Sequence, residues 1–480
     1  MADSGKTSLS VIVPVYNEEH LVEESLRRLL VLPESGLLER VQVVVVDDCS
    51  TDGTGEVLQR LAEEMPAEQP KMKWVFHYHE QNRGKGGAIR TALQSADSEI
   101  TIIHDADLEY HPKDILRMIP LFLHEDADVV YGSRFAAHEY RRVLMFRHEL
   151  GNRFLTFLCN LISNLNLTDM ETCYKAVRTS LLKSIPLRSN DFRIEPELTI
   201  KLAKRNARVF EIPINYSGRT YQEGKKINWV DGLKALGAII GFGLSDDIYT
   251  EDQFGSKMLA RLHRAHRFNA WLAETIRPYV GQNVLEIGSG GGRVTVKLIP
   301  RKSYVATDVN PLHLHIMNHL KDDKPYLSVD YLDLNDMGEF MQAHDPFDTI
   351  ICLDVLEHLD DDRQAIQNLE ALISSEGRAI ILVPNQPSFF GSLDRALGHR
   401  RRYSKDSLKR LAESAGLKVD KFLFFNRASS LPWWINGKLL RRKSFGGFQL
   451  FMLNFMTPLL KRIDRYLPMP ALSLIAILRK

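Results

Sequence analysis

Three short runs in the first part of the chain, residues 9–15, 41–46 and 100–103, are apolar almost without interruption and rich in Val and Ile. They do not alternate apolar with polar, so a strand built from any of them is apolar on both faces and must be covered on both sides. Parallel strands with helices packed on either face meet that requirement. Each run ends in a polar, turn-rich segment, and stretches that read as helices fall at 20–32, 56–64 and 88–95, with a further strand at 74–77. Strand alternating with helix confines this part of the chain to an α/β domain with a doubly wound parallel sheet.

Ligands in open α/β sheets bind outside the carboxyl ends of the strands. The strand 100–103 ends in His104-Asp105-Ala106-Asp107, which places two carboxylates one residue apart at that edge. Hard oxygen donors so arranged suit Mg²⁺ or Mn²⁺ bridging a diphosphate. An isolated Asp-x-Asp is as readily a turn, and the choice rests on its company. Val41–Val46 leads into Asp47-Asp48-Cys49-Ser50-Thr51-Asp52-Gly53-Thr54, and strand 74–77 into Asn82-Arg83-Gly84-Lys85-Gly86-Gly87. The latter lacks the spacing and terminal hydroxyl of a phosphate loop, but its glycines allow close backbone approach to a ligand.

A length of 480 residues exceeds one ordinary domain, and 44% apolar with 26% charged residues is the composition of a soluble globular protein. A net charge of +1 gives no electrostatic case for nucleic acid. Cys49, Cys159, Cys173 and Cys352 have no metal-binding spacing, which predicts reduced thiols in a cytoplasmic protein. The N-terminus has no apolar signal core, and neither 235–244 nor 445–460 reaches the roughly 18 apolar residues of a spanning helix. The short acidic run at 244–255 breaks the apolar pattern and predicts a linker between domains 1–243 and 256–480, the second opening on a helix over 256–277.

Seven segments, in order, resemble family 2 glycosyltransferases of the GT-A fold, most closely the dolichol-phosphate-mannose-synthase-like branch. They are Pro14-x-Tyr16-Asn17-Glu18, Asp47-Asp48-x-Ser50-x-Asp52-Gly53-Thr54, Asn82-Arg83-Gly84-Lys85-Gly86, Asp105-Ala106-Asp107, Gly132-Ser133-Arg134, Asp169-Met170-Glu171-Thr172-Cys173-Tyr174-Lys175 and Arg219-Thr220-Tyr221-x-Glu223-Gly224-Lys225. The resemblance spans about residues 9–237. It implies a nucleotide-sugar site formed by Pro14, Tyr16, Glu18, Asp48, Lys85 and Asp105. A divalent ion would be held by Asp105 and Asp107, and Arg219 and Lys225 would close over the phosphates of a GDP- or UDP-sugar. An acceptor such as polyprenyl phosphate is already ionised near neutral pH, and Arg141, Arg142, Arg147, His148 and Arg153 could hold it. A glycan hydroxyl acceptor would need a carboxylate to take its proton, with Asp169 or Asp191 as the candidate. For Asp169, a helix N-cap is the equally simple reading.

In the second half, Asn283–Ile287 leads into Gly288-Ser289-Gly290-Gly291-Gly292-Arg293. A dinucleotide fingerprint would require glycine where Arg293 stands. Acidic-x-Gly-x-Gly-x-Gly, here Glu286, Gly288, Gly290 and Gly292, instead resembles class I S-adenosylmethionine (SAM) methyltransferases. The resemblance covers about 256–480 and implies SAM contacts by Glu286 and the glycines, by Asp308 to the ribose, by Asp333 and Leu334 at the adenine, and by Leu353. The segment 347–359, with Glu357 and His358, is similar to the ubiquinone- and menaquinone-methyltransferase-like subgroup. His358 is read as ordering the cofactor loop rather than as a base. The run His399-Arg400-Arg401-Arg402 is a solvated face or borders a pocket for an anionic substrate.

The two resemblances together predict an enzyme that transfers a sugar with inversion and a methyl group within one pathway; the alternative makes one domain an inactive binding module. Tryptophans 433 and 434, basic Arg441, Arg442 and Lys443, and the apolar stretch 445–460 predict peripheral contact with the inner face of a membrane, or else a cap over the substrate pocket.

Overall fold

The computed structural model describes residues 5–136, 146–218, 229–245, 247–248, 265–442 and 447–480. Two compact units result, Met1–Thr250 and Glu251–Lys480. Expected functional residues Arg219 and Lys225, with Arg141, Arg142, Lys443 and most of the linker 244–255, lie outside the described residues.

In the first unit the three apolar runs form the sheet's centre. β1 (Thr7–Val15) runs parallel to β2 (Leu38–Asp47) on one side and to β4 (Ile100–Ile103) on the other. With β3 (Met72–Tyr78), β5 (Val129–Ser133), β6 (Lys175–Arg178) and β7 (Val209–Pro213) the order is β3-β2-β1-β4-β6-β5-β7. The sheet is mixed rather than wholly parallel, because β6 is antiparallel to β4 and to β5. Sequence periodicity did not reveal β6: it is four residues long and starts on Lys175, a charge with no exposed surface. Glu195 neutralises that charge from the Ile194–Lys204 helix.

The second unit has strands β8 (Asn283–Ile287), β9 (Ser303–Asp308), β10 (Leu327–Tyr331), β11 (Phe347–Leu353), β12 (Ile373–Pro384), β13 (Lys418–Phe425) and β14 (Ser473–Arg479), in the order β10-β9-β8-β11-β12-β14-β13. β14 is antiparallel to both neighbours and the remaining pairs are parallel. Its sequence explains its place between two other strands. Leu474, Ala476 and Leu478 join one buried cluster, and Ile475 and Ile477 join the cluster on the other face. Each fully buried Leu or Ile contributes about 1.5–3 kcal/mol, so β14 is anchored from both sides.

Candidate active sites

At the carboxyl edge of the first sheet, Lys85 Nζ lies 3.0 Å from the Asp105 carboxylate and 3.1 Å from Glu195. Lys175 Nζ reaches the other oxygen of Glu195. Burial works against ionising Asp105, but the charge and hydrogen bond of Lys85 hold its carboxyl below the usual range. Asp105 is therefore an ionised oxygen donor at the end of β4. Asp107 stands in the turn that follows, with one oxygen accepting from Glu109 N at 3.2 Å. Hard carboxylate oxygens at a strand end fit a divalent ion. Pro14 lies within β1 and Tyr16 just beyond it, partly exposed. Glu18 N donates to Thr54 Oγ1 at 2.9 Å, fixing that loop to the start of the Thr54–Glu68 helix.

Asp48, expected to face the nucleoside, is almost fully buried. It accepts from His79 Nδ1 at 2.7 Å, Arg83 N at 2.8 Å and Gly84 N at 2.6 Å. It thereby fixes the loop that presents Lys85. The glycines of that loop also have a different partner from the expected one. A Cβ at Gly84 would come within 2.3 Å of Asn190 O, and one at Gly86 within 2.1 Å of Ser189 O. The close approach is to the 189–190 backbone, joined by Gly86 N donating to Asn190 O at 2.8 Å.

Asp169 is fully buried and receives Arg134 Nε at 2.6 Å and Nη2 at 2.8 Å, with Arg134 N at 3.0 Å. This bidentate pairing is the geometry of an anchor for Arg134, not of a proton acceptor. Asp191 takes Arg193 Nε at 2.7 Å; despite partial burial, this pairing keeps its carboxyl below the usual range. Sequence reasoning assigned no role to Glu171. Burial, then the neighbouring Glu195, pushes its carboxyl up to about 7, and among the described residues its buried Oε1 has no hydrogen-bond partner. A second acid two residues after Asp169 was the available signal. Glu195, which joins Lys85 to Lys175, was also missed, since its role depends on partners distant in sequence.

The second site collects strand ends of the other sheet. Gly288, Gly290 and Gly292 all have positive φ (72°, 56° and 77°), which glycine adopts without strain. A Cβ at Gly288 would meet Val355 Cγ2 at 2.5 Å, whereas one at Gly290 would meet nothing within 4 Å. The loop thus packs on one side and is open at Gly290. Gly290 N donates to Asp308 Oδ2 at 2.8 Å, bringing the ends of β8 and β9 together. Buried Glu286 accepts from Thr295 Oγ1 at 2.5 Å and Tyr304 OH at 2.8 Å, so it orders the loop from beneath; burial raises its carboxyl to about 7. Asp333 folds its own turn through Asn335 N at 2.9 Å, while Leu334 and Leu353 are buried side chains at the ends of β10 and β11. An open cradle lined by backbone N–H groups and a strand-end carboxylate fits the methionine and ribose parts of SAM.

Beside it lies a polar group that sequence reasoning did not assemble. His399 Nδ1 is 3.1 Å from Asp394 Oδ1, which also accepts Arg402 Nε at 2.7 Å. The His399 and His358 rings meet edge to face at 4.9 Å. Buried Glu357 lies 4.0 Å from His399 Nε2, and burial raises its carboxyl well above the ordinary value. His358 is pushed down to about 4, first by burial and then by His399. The arginine run is not an open anion site: Arg400 Nε donates to His358 O, Arg401 pairs with Asp362 at 3.0 Å, and Arg402 also donates to Asn385 O. Trp433 stacks on Arg402 at 5.1 Å.

Comparison with known proteins gives these two sites their class. Residues 10–185 match the family model described as Glycosyl transferase family 2, and residues 257–421 match a methyltransferase domain. The chain therefore carries a family 2 glycosyl transferase domain and a methyltransferase domain, each built on a seven-stranded α/β sheet. An uncharacterised protein of Methanocaldococcus jannaschii is 29% identical over 49% of this chain and 92% of its own. The UDP-N-acetylglucosamine–dolichyl-phosphate N-acetylglucosaminyltransferase of Methanococcus voltae is 27% identical over 47% and 91%. The undecaprenyl-phosphate mannosyltransferase of Micrococcus luteus is 29% identical over 49% and 93%.

Proposed function

We propose that the first domain transfers a sugar from a nucleoside diphosphate to a polyprenyl phosphate with inversion, and that the second methylates an acceptor of the same pathway. The domains end and begin at 243 and 256 in this reading, with 244–255 joining them. The observation that carries the sugar-transfer reading is the Lys85–Asp105–Glu195 network at the end of β4. A divalent ion held by Asp105 and Asp107 would offset the charge of the departing diphosphate. The acceptor's phosphate oxygen attacks the anomeric carbon opposite the leaving group and needs no base, being ionised already. Pro14, Tyr16, Glu18 and the Asp48-fixed loop would frame the nucleoside. Arg219 and Lys225 remain proposed phosphate contacts on family resemblance. The named activities of the Methanococcus and Micrococcus relatives support a polyprenyl phosphate acceptor.

A hydroxyl acceptor is the second reading, and Glu171 favours it, because a carboxyl poised near 7 can accept a proton. For methyl transfer, Gly290 and Asp308 would hold SAM, which supplies an activated methyl group. His399, oriented by Asp394, would take the acceptor's proton. Peripheral membrane contact belongs to the same reading; no described helix is long and apolar enough to cross a membrane. A thermal-shift screen of nucleoside diphosphates with Mn²⁺, and of SAM, tests both halves, since a ligand of the native state raises the melting temperature. Stabilisation by GDP or UDP only with metal, and by SAM without it, is the expected result. No shift with any nucleotide would contradict the first half, and none with SAM the second.

A further inference from the structure

The turn that carries Asp105 and Asp107 is gripped at both ends by buried rings. His104, the first residue after β4, is almost fully buried and both of its ring nitrogens are engaged. Nδ1 lies 2.9 Å from Tyr174 OH, and Nε2 lies 3.2 Å from Ser25 Oγ on the Val22–Arg28 helix. A neutral imidazole has one donor and one acceptor nitrogen, and a hydroxyl can meet either, so both bonds form in either tautomer. The His104 backbone N donates to Ile12 O at 2.8 Å, which ties the same residue to β1. At the far end of the turn stands Tyr110, also buried, whose OH accepts from Cys173 N at 3.1 Å. Its ring packs on that of Tyr174 with centroids 4.8 Å apart. Tyr174, fully buried just before β6, therefore holds both ends of the turn, His104 through its hydroxyl and Tyr110 through its ring.

Between these anchors the chain is not relaxed. Leu108, next to Asp107, has φ of 61°, a left-handed conformation that side chains larger than glycine adopt rarely. The shape of the turn thus depends on what grips its ends. An imidazole and a phenol hydroxyl are costly to bury unless they are hydrogen-bonded, and an apolar pair would fill the same space without that requirement. What the polar pair adds is direction: the bond sets the distance and angle between the end of β4 and the segment entering β6, where an apolar contact would let the two slide. Groups that orient metal-binding carboxylates from behind change metal affinity by about 10–100-fold.

We propose that His104 and Tyr174 are positioning residues whose hydrogen bond sets the placement of the Asp105 and Asp107 carboxylates for the divalent ion, an inference that rests on the sugar-transfer reading. Both act through the turn rather than on the ion. Tyr174→Phe removes the hydroxyl and keeps the ring against Tyr110. Tyr131→Phe is the control, since Tyr131 OH lies 2.8 Å from Thr199 Oγ1 and is equally buried in the same sheet. Mn²⁺ binding to the full chain is titrated by electron paramagnetic resonance with whichever of UDP and GDP stabilises the protein, and sugar transfer is followed against Mn²⁺ concentration. Tyr174→Phe should weaken Mn²⁺ binding about tenfold or more and raise the Mn²⁺ needed for half-maximal transfer to match. At saturating Mn²⁺ its kcat should stay within about twofold of wild type. Tyr131→Phe should bind Mn²⁺ as wild type does, whatever its melting temperature. His104→Leu should lose as much as Tyr174→Phe or more, and adding Tyr174→Phe to it should cost nothing further, because the shared bond is already gone; if His104→Leu does not fold, Tyr174→Phe decides alone. Mn²⁺ affinity of Tyr174→Phe within about twofold of wild type, equal weakening in Tyr131→Phe, or additive losses in the double variant overturns the proposal. A wild type that binds no Mn²⁺ with either nucleotide removes the metal reading and the positioning role with it, whereas binding left intact in Tyr174→Phe removes the positioning role alone.

Discussion

Lys85, at the start of the Lys85–Ser95 helix, and Asp105, just past the end of β4, are joined by an ion pair of 3.0 Å, with Glu195 3.1 Å from the same amine. The amine is thus balanced by two carboxylates, and together they raise its pKa well above normal against the effect of burial. Removing it leaves two acids facing each other with no cation between them. Lys85→Ala is expected to lower sugar transfer by about 100-fold or more while SAM affinity, measured by calorimetry, stays unchanged. Near-normal transfer in the variant would remove Lys85 from the site.

Asp169 and Arg134 form a buried pair, and deleting one partner strands the other's charge. Asp169→Ala should cost about 3–5 kcal/mol of the first domain's stability. The double variant with Arg134→Ala should cost less than the sum of the singles, as a denaturation cycle would show. Additive costs would mean that the pair is not coupled.

Glu171 gives a pH signature with a definite sign. Its folded carboxyl is raised from the ordinary 4.5 to about 7, so the native state binds the proton more tightly than the unfolded chain does. Its contribution is fully present below pH 4.5 and is lost as pH rises through 7, by an amount of order 3 kcal/mol. Glu171→Gln should therefore stabilise the protein at pH 8 and change little at pH 4.5. The same variant separates the two acceptor classes: transfer to polyprenyl phosphate should survive it, whereas transfer to a hydroxyl should lose its rise with pH near 7.

Asp308 ties the ends of β8 and β9 through Gly290 N. Asp308→Ala loses that bond and the proposed ribose contact, and SAM affinity should fall about tenfold or more. Sugar transfer should be unaffected. Unchanged SAM binding would displace Asp308 from the site.

Both domains were legible where local pattern fixes structure. Residues 41–46 and 100–103 could hardly be anything but buried strands, and because both run parallel to β1 the acids that follow them lie at the same edge of the sheet. The sequence also pointed to the glycine loop of the second site, whose three positive φ values match its glycines. What stayed hidden depends on partners distant in sequence. β6 begins on a lysine that is buried only because Glu195 meets it. The arginines at 400–402 read as a solvated or anion-binding run, but the carbonyls of His358 and Leu359 capture Arg400 and Arg401, and Asp394 captures Arg402. Trp433 was expected at a membrane, yet it stacks on buried Arg402, closer to the alternative of a pocket cap.

The most direct test of sugar transfer to polyprenyl phosphate uses GDP- and UDP-sugars labelled in the sugar, polyprenyl phosphate in detergent, and Mn²⁺ or Mg²⁺. Label entering the organic phase is counted for wild type and for Asp107→Ala. The account predicts that one donor labels a lipid product with wild type, that chelation stops it, and that Asp107→Ala loses at least about 100-fold. Metal-independent labelling that persists in Asp107→Ala would contradict the account, as would nucleotide binding with no lipid product from any donor.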